Sequence, residues 1–402
     1  MIENLLVYAN YMFAILMPFS HIGGYLSCAI GLVLLWSFHK KIEKEPLYVL
    51  LLLFIIYGIV LNLFSGIPDV GNGALVGYFS HWLMPFILGY GLVNPGYFKK
   101  IFWAYVIVFA SIVGFSVLAY FHLFYSQFGK DFYLVNEGLL KGLRSHIALA
   151  ALCLAGSFLV LAQSLVRKDI SKTRRVLYFA LFLFFVFALF LTGSRGYYIS
   201  ALISYTLFGI FWVFRTKNWR FLVFGLAVAG VIFGAYFFTP VVKERLEKTT
   251  SHDSNIQERL ALYRVAVAEI MARPLFGYGP GQGIKQKKFF EMLPENLKNV
   301  GRHPALHSFY LNFAADFGLV GFFIFLAILY FTFKGLSASF GSDNLFLASA
   351  GMGIFWGLAA VLIGDMFDTL LRGPGVAMEL FWLIGLVFRQ ISEQKCESAQ
   401  QR

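Results

Sequence analysis

Charge is scarce in this sequence. Only 13% of its 402 residues are charged, while 59% are apolar and 19% aromatic. Soluble domains carry roughly 25% charged residues, so the chain lacks the polar surface that a water-soluble fold requires. Cysteine is scarce too. Cys28 and Cys153 fall in apolar stretches and Cys396 in a polar tail, which excludes a disulfide or cysteine–metal framework. The start, Met1-Ile2-Glu3-Asn4, lacks the basic residues of a cleaved signal peptide. What is present is apolar sequence almost throughout, with a mean hydropathy of +0.72. A membrane-crossing helix needs roughly 20 mainly apolar residues, because lipid cannot satisfy backbone N–H and C=O groups. The expected class is therefore an all-α polytopic membrane protein.

The apolar stretches fall near 4–18, 22–38, 47–64, 74–92, 101–121, 146–166, 176–192, 197–213, 221–239, 307–332, 345–366 and 376–388, which predicts twelve spans. Basic residues cluster at His39-Lys40-Lys41, Lys99-Lys100, Arg167-Lys168 with Arg174-Arg175, Arg215 with Lys217 and Arg220, Lys334, and Arg389 with Lys395. If the spans alternate, every cluster falls on one side, which the positive-inside rule makes cytoplasmic. Both termini are then cytoplasmic. The net charge of +12 is accounted for by this bias and by contact with anionic membrane lipid, with no call for nucleic acid.

Two outer connections stand out, near 122–145 and 240–306. The second divides the chain into spans one to nine (1–239), a periplasmic loop (240–306), and spans ten to twelve with a tail (307–402). Ser254-Asn255-Ile256-Gln257 fits a capping box. Ile256, Leu260, Tyr263, Val267 and Ile270 follow at helical spacing, which predicts an amphipathic helix ending at Pro274. Gly277-Tyr278-Gly279-Pro280-Gly281 forms a turn-rich break, and a second short helix is expected over 284–293.

The loop carries eleven lysines and arginines between Lys243 and Arg302, among them Arg259 and Arg264. Long loops tolerate such charge, and it can serve acidic headgroups. It can equally bind an anionic substrate, since the planar guanidinium fork matches phosphate. Arg195 sits in the corner Leu191-Thr192-Gly193-Ser194-Arg195-Gly196 between two spans. It is either a snorkelling residue paired with Asp365 or Asp368, or a phosphate ligand at a cavity mouth. For Asp365, Asp368 and Glu379, with Arg372 in the adjoining turn, ion pairing that ties helix ends together is the favoured account. His303 and His307 open span ten; an interfacial histidine is commonly structural, yet histidine is the side chain most easily poised as a base near neutral pH.

These residues resemble the O-antigen ligase and O-antigen polymerase superfamily. Thr192-Gly193-Ser194-Arg195-Gly196 is similar to the family's arginine at the start of a span. Ser254 to Arg264, followed by Arg273-Pro274-Leu275-Phe276-Gly277-Tyr278-Gly279, resembles its periplasmic helix and Pro-x-x-Gly-x-Gly exit. His307-Ser308, nine residues, Gly318, two residues and Gly321 fits the ligase-type pattern, with Asp316 where the family has an acid. Ser308 departs from the asparagine common there, and Arg259 and Arg264 compete for one motif position, with Arg259 at the family's distance from an aromatic.

The resemblance implies an architecture like that of type C glycosyltransferases, with no metal or other cofactor, in the bacterial inner membrane. It implies inverting glycosyl transfer on the periplasmic face, from a glycan on undecaprenyl diphosphate to a sugar hydroxyl, in ligases that of lipid A–core in lipopolysaccharide assembly. His307 would be the base. Arg195, Arg259 or Arg264, with Arg302 and His303, would meet the diphosphate, and Ser308, Asp316, Gly318 and Gly321 would support them. The polymerase is the near alternative. A transporter or flippase of lipid-linked glycan is the alternative of another class, but it should show two related halves; the large loop has no counterpart. A metal-dependent type C enzyme should carry acids in its first outer turn, and Ser20-His21-Ile22-Gly23 has none.

Overall fold

The computed structural model describes residues 2–37, 45–64, 68–92, 94–121, 139–140, 143, 145–217, 243, 254–283, 286–298 and 306–400. The expected ninth span, Arg302 and His303 lie outside these residues, as does most of the first outer loop. Among them the protein is helical, without an extended strand. In chain order the helices are α1 (Ile2–Leu16), α2 (His21–Ser37), α3 (Pro46–Leu63), α4 (Pro68–Tyr78), α5 (Met84–Tyr90), α6 (Phe98–Tyr120), α7 (His146–Val166), α8 (Lys172–Leu191), α9 (Arg195–Thr216), α10 (Ser254–Ala272), the short α11 (Lys287–Phe290) and α12 (Glu295–Lys298), α13 (Phe309–Ala338), α14 (Leu345–Gly364) and α15 (Pro374–Gln400). Eight of these, α3, α6–α9 and α13–α15, are long and apolar enough to cross a membrane.

The helix ends follow local chemistry. Ser145 and Ser171 cap α7 and α8 by accepting the amides of Ala148 and Arg174, and Asn344 caps α14 through Phe346 and Leu347. Helix α10 spans the predicted stretch and stops before Pro274, but its buried side is Leu262, Val265, Ala266 and Glu269, whereas Leu260 and Val267 of the predicted apolar face are exposed. Span ten begins at Phe309, which leaves His307 two residues outside it.

Helices α7 and α15 are buried inside the bundle, whereas α3 and α9 turn much of their surface outward. Large apolar side chains are exposed on α3 (Ile56) and α9 (Leu202), and likewise on α6 (Ile107) and α13 (Phe323). Each would forfeit roughly 1.5–3 kcal/mol if it faced water, so these surfaces belong against lipid. Small residues set the central crossing of α7 and α14: a Cβ on Gly353 would lie 2.7 Å from Leu159 Cα, and one on Gly357 3.2 Å from Ala155 Cα. A π-helical turn, Phe79–Leu83, joins α4 to α5. Its wider pitch lets successive residues reach one turn of the chain: His81 Nδ1 lies 2.8 Å from Arg372 O, and Trp82 Nε1 donates to Leu371 O at 2.7 Å.

Helix α13 is broken at Gly318, where φ is +62°. The Pro274–Gly279 segment packs into that break. Leu319 and Val320 donate to the carbonyls of Pro274 and Leu275 at 2.8 and 3.1 Å, while Tyr278 and Gly279 donate to those of Ala315 and Asp316 at 3.0 and 2.9 Å. Tyr57 Oη donates to the carbonyl of Phe317 at 2.8 Å. Gly321 makes room for this, because a Cβ there would meet Tyr57 Cε1 at 3.1 Å and Phe317 Cβ at 2.3 Å. The loop is thereby stitched to the membrane bundle backbone to backbone.

Candidate functional site

A cavity of about 600 Å³ opens where α7 and α9 begin, α14 ends, and α10 crosses over them. Arg195, Arg259, His307 and Asp368 all line it. These residues come from four separate stretches of sequence. Arg195 is the first residue of α9, behind the extended N-cap Ser194. His146 is the first residue of α7 and lines the cavity too. Two helix N-termini thus border it, and unsatisfied N–H groups with the positive end of the macrodipole favour an anion there.

Arg259 and Tyr263 stand one turn apart on α10 and reach backbone carbonyls of the two segments that flank the cavity. Arg259 Nη1 donates to Phe367 O at 2.6 Å. Tyr263 Oη donates to His307 O at 3.0 Å. His307 has φ of +49°, a conformation few non-glycine residues adopt. Its neighbours hold it there. Leu306 is buried in a small apolar cluster with Leu262, Val265 and Ala266 of α10, and Phe309 N donates to the carbonyls of Asp365 and Asp368 at 2.9 and 2.7 Å. The strained backbone of residue 307 is therefore fixed from both sides.

The ring of His307 is half-buried, and its Nδ1 has no hydrogen-bond partner among the described residues. Burial lowers its pKa below the ordinary value; Asp368 and Glu258 pull it up and Arg259 pushes it down. The base form of the imidazole is thus favoured, with a carboxylate close enough to stabilise the imidazolium once a proton arrives.

Not every predicted residue meets here. Arg264 is exposed on α10 and does not line the cavity, so of the two competing arginines only Arg259 does. Ser308 is the buried N-cap of α13, but its side chain makes no cap hydrogen bond. Asp316, Gly318 and Gly321 are at the break in α13, away from the cavity lining. Ion pairing was the favoured account of the acids at the end of span eleven, and the structure corrects it. The Asp365 carboxylate accepts from Tyr197 Oη at 3.2 Å and from the amides of Leu370 and Leu371 at 3.1 and 2.8 Å. Arg372 instead approaches Asp316, Nη1 to Oδ2 at 3.8 Å. Backbone donors of a tight turn satisfy a buried carboxylate without bringing a second charge out of water. In span twelve, Glu379 accepts a hydrogen bond from the Tyr105 hydroxyl.

His146 and Tyr263 escaped prediction as site residues. His146 follows the capping Ser145 at the start of an outer-facing span, which was a usable signal. Tyr263 looked like one more member of an apolar stripe.

No curated protein matches the chain. The family model described as O-antigen ligase matches residues 179–326, a stretch that runs from within α8 past the break in α13 and holds Arg195, Arg259 and His307. Over that stretch the chain is similar to the O-antigen ligase family.

Proposed function

We propose that the protein is an O-antigen ligase. It transfers a glycan from undecaprenyl diphosphate to a sugar hydroxyl of lipid A–core, on the periplasmic face of the bacterial inner membrane. The twelve-span topology with both termini cytoplasmic belongs to this proposal. The observation that carries it is the shared cavity: two guanidinium groups, two helix N-termini and the imidazoles of His146 and His307 line the same space.

The chemistry follows from these groups. The acceptor hydroxyl oxygen attacks the anomeric carbon and gives its proton to His307. The bond from that carbon to the diphosphate oxygen breaks, and the leaving lipid diphosphate takes the electron pair. Arg195 and Arg259 meet the charge that develops there, with donors already oriented. Arg259 is steadied by its bond to Phe367 O, which leaves other N–H groups of its fork for phosphate. Asp368 stabilises the imidazolium. A single displacement inverts the anomeric centre, and fixed cations make a metal unnecessary.

The test is transfer by purified protein from lipid-linked glycan to lipid A–core, run beside the same donor without acceptor. Product on lipid A–core supports the ligase. Lengthening of the lipid-linked glycan without acceptor would make the protein a polymerase. Movement of intact donor across vesicles, with neither product, would make it a transporter.

A further inference from the structure

A second cavity, of about 480 Å³, lies at the opposite end of the same helices. Helix α7 begins at the first cavity with His146 and runs out to Arg167 at the second; α14 begins at the second with Leu345 and ends at the first with Gly364. Twenty residues of helix rise about 30 Å, the thickness of a bilayer core. The second cavity is therefore at headgroup depth on the other membrane surface.

Its lining is rich in donors left without acceptors. Arg167 is only 4% exposed, and its Nε and Nη2 are taken by Asp169. Its Nη1 makes no hydrogen bond among the described residues. Lys99 makes no ion pair among them either. The Arg167 guanidinium carbon and Lys99 Nζ lie 5.6 and 6.0 Å from the centre of the same Phe346 ring, so both cations gather at one wall. Gln390, 6% exposed, also lines the cavity, and its Nε2 has no hydrogen-bond partner. Three such donors around one space call for an acceptor-rich group such as a phosphate. The lining is not simply cationic, however. Asp343 is exposed, also lines the cavity, and forms no ion pair among the described residues. With Asp169 it balances Lys99 and Arg167 in formal charge. A purely anionic ligand would find no use for Asp343; a ligand with a phosphate and an ammonium group a few bonds apart would use both walls.

We propose that this cavity binds the headgroup of a phosphoethanolamine-type membrane lipid, with the phosphate at Arg167, Lys99 and Gln390 and the ammonium at Asp343. The site is independent of the glycan-transfer cavity.

The experiment reconstitutes the full chain in nanodiscs containing equal phosphatidylethanolamine, phosphatidylglycerol and phosphatidylcholine. Native mass spectrometry then reads which lipid stays bound. Lys99 and Asp343 are exposed, so Lys99→Ala and Asp343→Asn leave the fold intact, which a melting curve checks. The wild type is expected to retain phosphatidylethanolamine several-fold over the other two. Asp343→Asn should abolish the preference over phosphatidylglycerol, and Lys99→Ala should lower retention of all three. Equal retention of the three lipids by the wild type overturns the proposal, and so does a preference that neither variant changes.

Discussion

A Cβ placed on Gly318 would sit 2.6 Å from the backbone nitrogen of Gly277. Both glycines have positive φ, +62° and +67°. Two motifs some forty residues apart in sequence are thus the two halves of one backbone contact. It breaks α13 and anchors the strip that follows α10, so the position of Arg259 and Tyr263 over the cavity depends on it. Gly318→Ala is expected to combine a disfavoured conformation, roughly 1–3 kcal/mol, with a backbone clash. A lowered melting temperature in detergent, and the same loss for Gly277→Ala with no further loss in the double variant, would be the signature of a single shared contact. Additive losses would mean two separate roles.

His307→Ala should keep the fold and lose glycan transfer by roughly 10²–10⁴-fold, the usual worth of a positioned base. The measurement is turnover by purified protein with lipid insertion checked in parallel. Transfer at the wild-type rate would remove the imidazole from the mechanism.

Arg195→Ala and Arg259→Ala should each cost roughly 10²–10³-fold, as for loss of a donor to a developing anion. Arg195→Lys should recover little, because a point charge replaces a planar fork. Arg264→Ala should behave as wild type, since that side chain is exposed and outside the cavity lining. A loss at Arg264 matching that at Arg259 would mean the loop rearranges to bind donor.

The pH dependence of transfer should reflect a buried base. Burial lowers the His307 pKa, so the neutral, proton-accepting ring persists somewhat below the ordinary histidine value. The rate should fall only as pH drops through that lowered value. An acid limb lying above pH 6.5, the ordinary value, would point to a different base.

Glu269, on the inner face of α10, is almost fully buried and its pKa is pushed up to about 8, first by burial and then by Asp316. Between its ordinary 4.5 and about 8 the folded state holds a proton that the unfolded state has released. Stability from this group is therefore complete below pH 4.5 and lost as pH rises through 8, on the order of a few kcal/mol. Glu269→Gln should flatten the fall in melting temperature over that window. An unchanged slope would mean that the carboxyl ionises without cost in the fold.

Much of the architecture could be read from the chain itself. The polarity of the bilayer core leaves an apolar run of about 20 residues little choice but helix. The spans predicted within the described residues accordingly coincide with helices to within a few residues, apart from the N-terminal end of the fourth, the C-terminal end of the tenth and the tail of the last. Pro274 and the Ser254 start marked α10 for equally local reasons. Arg195 and His307 could be picked out because a cation at a span corner and a histidine at a span mouth are conspicuous against so apolar a background. Long-range relations were out of reach. Only the packing of α10 across the bundle shows that Arg259 lines the cavity and Arg264 does not, since both lie on one helix and differ solely in the face they present. Only the tertiary fold shows that the glycine motifs are a clasp for the loop, and that Asp365 is held by turn amides while Arg372 goes to Asp316. Periodicity reports which face of an element is apolar; it carries no record of which neighbour that face will meet.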